Sequence, residues 1–219
     1  MVKLLVDGRE IEAQEGTVLL QACLGKGIYI PNLCFLEDMG SPPASCRLCF
    51  VQIEGREDPV PSCAVKVTEP MVVKTDTPAV RSLQRSAFRF LMSVHEIRCR
   101  PCPANRKCEL QRIAKFLQIG LNPKGLETSL KETSLVQNHP LLDYHPNRCV
   151  LCGRCIHVCQ RQHGRALMTF AKRGFDTVVS FYGNRDPAAS PCRDCLACVE
   201  TCPVAAITLR QSSPNTHAL

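Results

Sequence analysis

The chain opens on strict alternation. Val2, Leu4 and Val6 share one side, Lys3, Leu5 and Asp7 the other, and Asp7-Gly8 turns the chain back into Ile11 and Ala13. Period-2 alternation around a glycine turn predicts a β-hairpin. Thr17 then precedes an apolar run, Val18–Leu24, closed by Gly25 and Gly27. A hydroxyl N-cap, apolar residues and a glycine stop predict a short helix capped by Thr17. Further strands are predicted over Cys49–Ile53 and, after Pro70, over Met71–Lys74. Hairpin, helix and more strands make residues 1–78 a small β-grasp unit.

The period then changes from 2 to 3.6. Thr77-Pro78 is a helix start with proline at the first helical position. Val80, Leu83, Ala87, Leu91 and Val94 recur at helical spacing and lead to His95. A second helix is predicted from Cys108 to Ile119, with Leu110, Ile113, Ala114 and Leu117 on one face and Gly120 as its stop. Residues 121–140, with Asn122-Pro123, Gly125 and His139-Pro140, read as an irregular connector. A helical unit therefore spans residues 79–140. In the remaining unit, 141–219, Ala166–Ala171 and Thr177–Tyr182 flank a hairpin signal at Lys172–Asp176, and the tail after Arg210 is polar and expected to be loosely ordered. The fold class is α+β, in three small units.

Three such units within 219 residues, with 5% aromatics and no Trp, would each have a thin core. The cysteines change the picture. Fifteen of sixteen, with one histidine, fall into four sets of four: Cys34/Cys46/Cys49/Cys63, His95/Cys99/Cys102/Cys108, and two runs, Cys149/Cys152/Cys155/Cys159 and Cys192/Cys195/Cys198/Cys202. Only Cys23 is left over, and it reads as a small buried hydrophobe. The acidic start lacks the apolar core of a signal peptide, and no stretch approaches 18 apolar residues. So many cysteines in a non-secreted chain argue for metal ligation, and for the cytoplasm, over a disulfide scaffold.

Each set points to iron–sulfur chemistry with different strength. The last two match the CxxCxxCxxxC run of bacterial two-cluster ferredoxins, in which the fourth cysteine of each run serves the other cluster. Cys149, Cys152 and Cys155 are thus grouped with Cys202, and Cys192, Cys195 and Cys198 with Cys159. Gln160 stands where a proline follows the fourth cysteine of the second run. Zinc sites favour two separated CxxC pairs, which this pattern is not. The first set shares only its central CxxC with plant-type [2Fe–2S] ferredoxins, and structural zinc is the alternative there. His95 alone would be an ordinary residue at a helix end, but three following cysteines lack a fourth partner and Cys23 is remote in sequence. His157 and His163 are read as supporting or surface residues.

The formal charge of +7 invites a nucleic-acid reading, and a zinc-dependent nucleic-acid-binding protein is the competing class. Three thiolate-bound clusters at about −2 each and one with a histidine at about −1 would contribute about −7 together, so much of the basic excess is read as compensation. Arg148 and Arg154 are candidates to favour the reduced form of a nearby cluster. No phosphate-binding or dinucleotide fingerprint occurs, so no flavin or nicotinamide site and no catalytic residue is expected.

The order of these four motifs, across roughly residues 1–210, resembles the electron-relay region shared by three groups. These are the 75-kDa-type subunit of respiratory NADH dehydrogenase, Fe-only hydrogenases, and the small diaphorase subunit of NAD-reducing [NiFe] hydrogenase. The resemblance implies a [4Fe–4S] cluster on His95 with Cys99, Cys102 and Cys108, and in all one [2Fe–2S] and three [4Fe–4S] clusters. Only seventeen residues follow Cys202, whereas the first two groups would continue into large catalytic domains. The expectation is therefore the diaphorase-type subunit of a NAD-reducing hydrogenase. Its implied partners are an FMN- and NAD-binding diaphorase subunit and the small and large [NiFe] hydrogenase subunits. An NAD(P)-linked formate dehydrogenase or NADH dehydrogenase-like complex is the alternative setting.

Overall fold

The computed structural model describes residues 1–122, 125–136, 138–182 and 190–210. Strands β1 (Val2–Val6) and β2 (Arg9–Ala13) form the predicted hairpin, with Val2 opposite Ala13. Asp7 and Gly8 both take positive φ, 49° and 80°, as a two-residue turn between twisted strands requires. The Asp7 carboxylate accepts from the Thr75 N–H at 2.8 Å and hydroxyl at 2.6 Å, which ties the turn to the end of another strand. That strand, β5 (Met71–Lys74), runs parallel to β1. β3 (Phe50–Ile53) and the two-residue β4 (Val60–Pro61) complete a sheet of order β2-β1-β5-β3-β4. Leu4, Val6, Ile11 and Ala13, alternate positions of the hairpin, join Leu19 and Leu20 of helix α1 (Leu19–Gly25) in one buried cluster with Val51, Ile53 and Val73.

Thr17 does not cap α1. The cap position is Val18 and no side chain caps it. Instead the Leu19 N–H donates to the Val65 carbonyl at 2.8 Å, and the Val67 N–H donates to the Thr17 carbonyl at 2.8 Å. Backbone pairing satisfies the donor that a hydroxyl would have taken.

Helix α2 (Pro78–Ser93) starts as predicted: the Thr77 hydroxyl accepts the Val80 N–H at 3.2 Å, with Pro78 at the first position. Its buried face overlaps the predicted one only in part. Val80, Gln84, Phe88 and Met92 are buried, whereas Leu83 is 38% exposed. Gln84 is fully buried because its side-chain amide donates to the Phe50 carbonyl at 3.1 Å, docking α2 on β3. Ala87 and Leu91 pack at the margin. Helix α3 (Glu109–Leu117) buries the predicted Leu110, Ile113, Ala114 and Leu117 but ends at Gln118, left-handed with φ 55°, before reaching Gly120. Tyr29 meets Phe116 edge to face at 4.8 Å, with Arg81 over Phe116 and Arg112 over Tyr29, joining the first 30 residues to both helices.

In the last part, β6 (Leu142–Tyr144) pairs antiparallel with β9 (Ile207–Leu209), bringing Tyr144 opposite Ile207. Helix α4 (Arg154–His163), the predicted hairpin of β7 (Met168–Ala171) and β8 (Val178–Phe181), and the short α5 (Ala197–Glu200) lie between them. The polar tail after Arg210 and the Pro123 of the Asn122-Pro123 signal lie outside the described residues. A second apolar cluster begins at Leu33 and Leu48, passes through Phe88, Met92, Leu110 and Ile113, and ends among Tyr144, Val158, Met168, Val179 and Ile207.

One polar contact spans the chain. Arg154, His157 and Arg161 sit at i, i+3 and i+7 on α4, one side of the helix. Arg154 approaches the Asn32 side-chain oxygen at 3.4 Å, Arg161 pairs with Asp38, and His157 Nε2 lies 3.2 Å from the same carboxylate. Partial burial opposes ionisation of Asp38, but Arg161 and then His157 outweigh it and hold its carboxyl below the usual range. Exposed pairs contribute about 0.2–1 kcal/mol each. Asp38→Asn is expected to lower the melting midpoint by about 2–4 °C, the shift for about 1 kcal/mol at this size. Thermal scans at low and high salt check it, since screening should shrink the difference.

Candidate metal centres

Cys34, Cys46, Cys49 and Cys63 come together at the edge of the first sheet, all buried. The Sγ atoms of Cys34 and Cys46 are 3.4 Å apart, and Cys63 is within hydrogen-bonding reach of both Cys34 and Cys49. A hydrogen bond from Cys46 lowers the thiol pKa of Cys34, and one from Cys63 that of Cys49; the bond with Cys34 is the largest influence raising both Cys46 and Cys63. The tight turn at Ser62–Ala64 places Cys63, and the Ser62 hydroxyl donates to the Cys49 carbonyl at 2.8 Å. Ala44 and Arg47, on either side of Cys46, take positive φ of 50° and 53°, the local strain expected where a loop is bent to present ligands.

His95 follows the end of α2 and is buried. Its Nδ1 lies 3.0 Å from the Arg148 carbonyl. A carbonyl only accepts, so Nδ1 carries the hydrogen and Nε2 keeps a bare lone pair. Burial, the largest influence, lowers the pKa of His95 and keeps the imidazole neutral. His95 lines a cavity with Cys99, Cys102 and Cys108, rimmed by Arg98 and Arg148 and containing about 300 Å³ of atom-free space, part of it open to solvent. The Cys102 N–H donates to the Cys99 carbonyl at 3.1 Å, a turn that sets the CxxC spacing. Cys108 is the cap residue of α3. Burial raises its pKa, opposed by the Gln111 and Leu110 amides at the helix start.

The last two runs exchange their fourth cysteines in space. Cys149, Cys152, Cys155 and Cys202 line one cavity containing about 340 Å³ of such space. The β6–β9 pairing brings Cys202 there, since Cys149 follows β6 and Cys202 precedes β9. Cys155 and Cys159, one turn apart on α4, share its buried side with Val158. Cys159 faces the other set: Cys192, Cys159 and Cys195 all act on the charge of Cys198. Burial pushes the Cys152 and Cys198 thiols up to about 12 and raises Cys149, Cys155, Cys159 and Cys192 as well. Such thiols ionise only beside a cationic partner. Amide donors already aim at the sulfurs: Leu151 at Cys149 and Leu167 at Cys159, both at 3.4 Å, and Ala206 at Cys202 at 3.1 Å. Gly153 and Leu196 occupy the same place in the two repeats, after the second cysteine, and both have positive φ, 75° and 46°.

Among the described residues, no group of three or more His, Cys, Asp or Glu side chains closes around a single metal ion. The four sets instead present soft sulfur and imidazole donors. The residues present fit iron–sulfur clusters. Cys23 stands apart, fully buried in α1, its thiol pushed up to about 12 by burial and then by Asp7.

Several supporting residues carry no motif. The Arg148 carbonyl fixes the His95 tautomer. Asn147 is buried, with its side chain bridging the backbone N–H and carbonyl of Lys131 at 2.7 and 3.0 Å, while its own carbonyl accepts the Glu96 N–H at 2.6 Å. The buried Tyr144 hydroxyl accepts the Val179 N–H at 3.1 Å. None of these follows from ligand spacing.

Residues 1–78 match a family described as a 2Fe-2S iron-sulfur cluster binding domain. Over 207 residues the chain is 30% identical to the G 2 subunit of the NADH-quinone oxidoreductase of Rhizobium meliloti (strain 1021), covering 94% of this chain and 24% of that protein. Over 212 residues it is 32% identical to the HndD subunit of the NADP-reducing hydrogenase of Solidesulfovibrio fructosivorans, covering 94% of this chain and 36% of that one. The chain therefore spans between about a quarter and a third of the length of these relatives. The crystal structure of a NAD+-reducing [NiFe]-hydrogenase in the H2-reduced state contains a chain that superposes with a TM-score of 0.83 at 25% identity, covering 98% of this chain and 90% of that one. Among the described residues, no helix is long and apolar enough to cross a membrane.

Proposed function

We propose that this chain, a homologue of NADH-quinone oxidoreductase and NAD(P)-linked hydrogenase subunits, is the electron-relay subunit of a NAD+-reducing hydrogenase. It works between a [NiFe] hydrogenase module, with its small and large subunits, and an FMN-containing diaphorase subunit that reduces NAD+. The chain itself carries no substrate-transforming site in this reading. Three units organise it: a β-grasp unit over 1–78, a helical unit over 79–140 and a two-cluster ferredoxin-type unit over 141–219. Cys34, Cys46, Cys49 and Cys63 would hold a [2Fe–2S] cluster. His95 with Cys99, Cys102 and Cys108, Cys149 with Cys152, Cys155 and Cys202, and Cys159 with Cys192, Cys195 and Cys198 would each hold a [4Fe–4S] cluster. When bound, these clusters supply one-electron transfer at potentials set by their surroundings. The protein's residues hold the ligands, bury them, and aim N–H donors and cations at them. The cytoplasm is the proposed compartment.

The observation that carries this reading is the His95 cavity. A histidine locked with Nε2 free, facing three cysteines, fits a fourth ligand and is an unusual choice for a mere structural residue. His95→Ala is expected to impair one [4Fe–4S] cluster and leave the others. Iron analysis and low-temperature electron paramagnetic resonance check this; unchanged spectra and iron content would remove His95 from the ligand set. The partner assignment is tested by purifying the tagged chain from its own cells. Hydrogenase and flavoprotein subunits are expected in the preparation. The 30% identity to an NADH-quinone oxidoreductase chain favours a second reading, a relay in an NADH dehydrogenase-like complex, and recovery of those catalytic subunits instead would establish it.

A further inference from the structure

Two consecutive carbonyls of the turn after β6 hold the residue pair that follows α2. The turn is closed by the Arg148 and Cys149 N–H groups, which donate to the His145 and Pro146 carbonyls at 3.0 and 3.1 Å. The next two carbonyls accept from outside it. Asn147 takes the Glu96 N–H at 2.6 Å, and Arg148 takes the His95 Nδ1–H at 3.0 Å. The buried Asn147 side chain grips a third segment. Its Oδ1 accepts the Lys131 N–H at 2.7 Å, and its Nδ2 donates to the Lys131 carbonyl at 3.0 Å. That segment is fastened to α2 as well, because the Ser129 N–H donates to the carbonyl of Ser93, the last residue of the helix, at 2.8 Å. The contacts close a ring: Ser93 to His95 along the chain, His95 to Arg148, Asn147 to Lys131, and Ser129 back to Ser93. Apart from His95 itself, only the Asn147 link is made by a side chain. It uses the donor and the acceptor of one amide on one residue's backbone, which neither a carboxylate nor an apolar side chain can reproduce.

We propose that Asn147 is a positioning residue for His95: by pinning residues 129–131 to the turn, its side chain holds the Arg148 carbonyl on Nδ1 and so sets the aim and the donor strength of Nε2. This rests on the reading that His95 ligates a [4Fe–4S] cluster with Cys99, Cys102 and Cys108. A hydrogen bond from Nδ1–H to a carbonyl orients a ligating imidazole and makes its other nitrogen more basic. A more basic ligand gives more charge to iron and favours the oxidised form, so the reduction potential is lower with this bond than without it. Loss of the Asn147 amide opens the ring. It leaves the Lys131 N–H and carbonyl without their partner and frees the Arg148 carbonyl to turn.

The test is a potentiometric titration of the whole, cluster-loaded protein followed by electron paramagnetic resonance. Electron spin echo modulation on the same samples reads the coupling to the ligating imidazole nitrogen. Asn147→Leu keeps the side-chain shape and removes both hydrogen bonds. The midpoint of the nitrogen-coupled cluster should move to a more positive value and its nitrogen coupling should change, with the iron content unchanged. A midpoint that fails to rise, or a nitrogen coupling that stays the same, in a fully loaded protein would overturn the proposal. A lower melting midpoint alone marks a purely structural role. Should Asn147→Leu lose iron, Lys131→Pro decides, since it deletes only the N–H on Asn147 Oδ1. Lys131→Gln, which removes the charge and keeps the backbone groups, is its control. The midpoint should then rise in Lys131→Pro relative to Lys131→Gln. Equal midpoints in those two, or loss of the cluster from Lys131→Pro as well, would also overturn it. Failure of the underlying reading looks different: the unmodified protein would then show no imidazole nitrogen coupling.

Discussion

Replacing Cys202 by alanine should remove about four iron atoms per chain from the site of Cys149, Cys152 and Cys155, not from that of its own run. The reason is geometric. Cys202 lines the same cavity as those three cysteines, held there by the β6–β9 ladder and by the Ala206 N–H on its sulfur at 3.1 Å. Cys159 is exchanged in the other direction, one helical turn beyond Cys155 and against the set of Cys192, Cys195 and Cys198. The spectrum lost in Cys202→Ala should therefore match that lost in Cys152→Ala. The spectrum lost in Cys159→Ala should match that of Cys195→Ala. Removing one ligand also leaves three buried thiols with no cationic partner, and burial already raises their pKa. Reprotonation should follow, and with it loss of the whole cluster. Paired difference spectra check the grouping; if Cys202→Ala groups with Cys195→Ala, the crossing is wrong.

Phe88→Ala is the substitution expected to cost the most stability. Phe88 is fully buried in the cluster that joins Leu33 and Leu48 to α2, α3 and the β6–β9 region. Truncating a buried phenylalanine costs about 3–5 kcal/mol, against a total of about 5–15 for a folded domain. The melting midpoint should fall by about 6–20 °C at this chain length. Leu83→Ala on the same helix should cost less than about 1 kcal/mol, because Leu83 is 38% exposed. Thermal scans of the two loaded variants check both numbers. Equal losses would mean that α2 presents a different face to the core.

That contrast also shows where sequence pattern stops. On α2 the apolar count favours the face of Leu83, Ala87 and Leu91, but a buried Gln84 bonded to the Phe50 carbonyl rotates the helix to bury Phe88 and Met92. A hydrogen-bonded polar residue in the core is invisible to apolar periodicity. The β1–β2 hairpin was legible because alternation and the Asp7-Gly8 turn act within a dozen residues. β4, β6 and β9, at two or three residues, are too short to show a period and exist through partners far off in sequence. Thr17 failed as a cap because residues 65–67, also remote, took its role. The grouping of the cysteines was legible in part because the CxxC spacings lie within short loops. The part of Arg148 could not be read, because it acts through its backbone carbonyl.

The central claim is that this chain is built around four iron–sulfur clusters, and metal and sulfide analysis of protein purified without oxygen tests it most directly. One [2Fe–2S] and three [4Fe–4S] clusters predict a brown protein with about 14 iron and about 14 acid-labile sulfide per chain. A colourless protein with about three or four zinc per chain and no sulfide would contradict it.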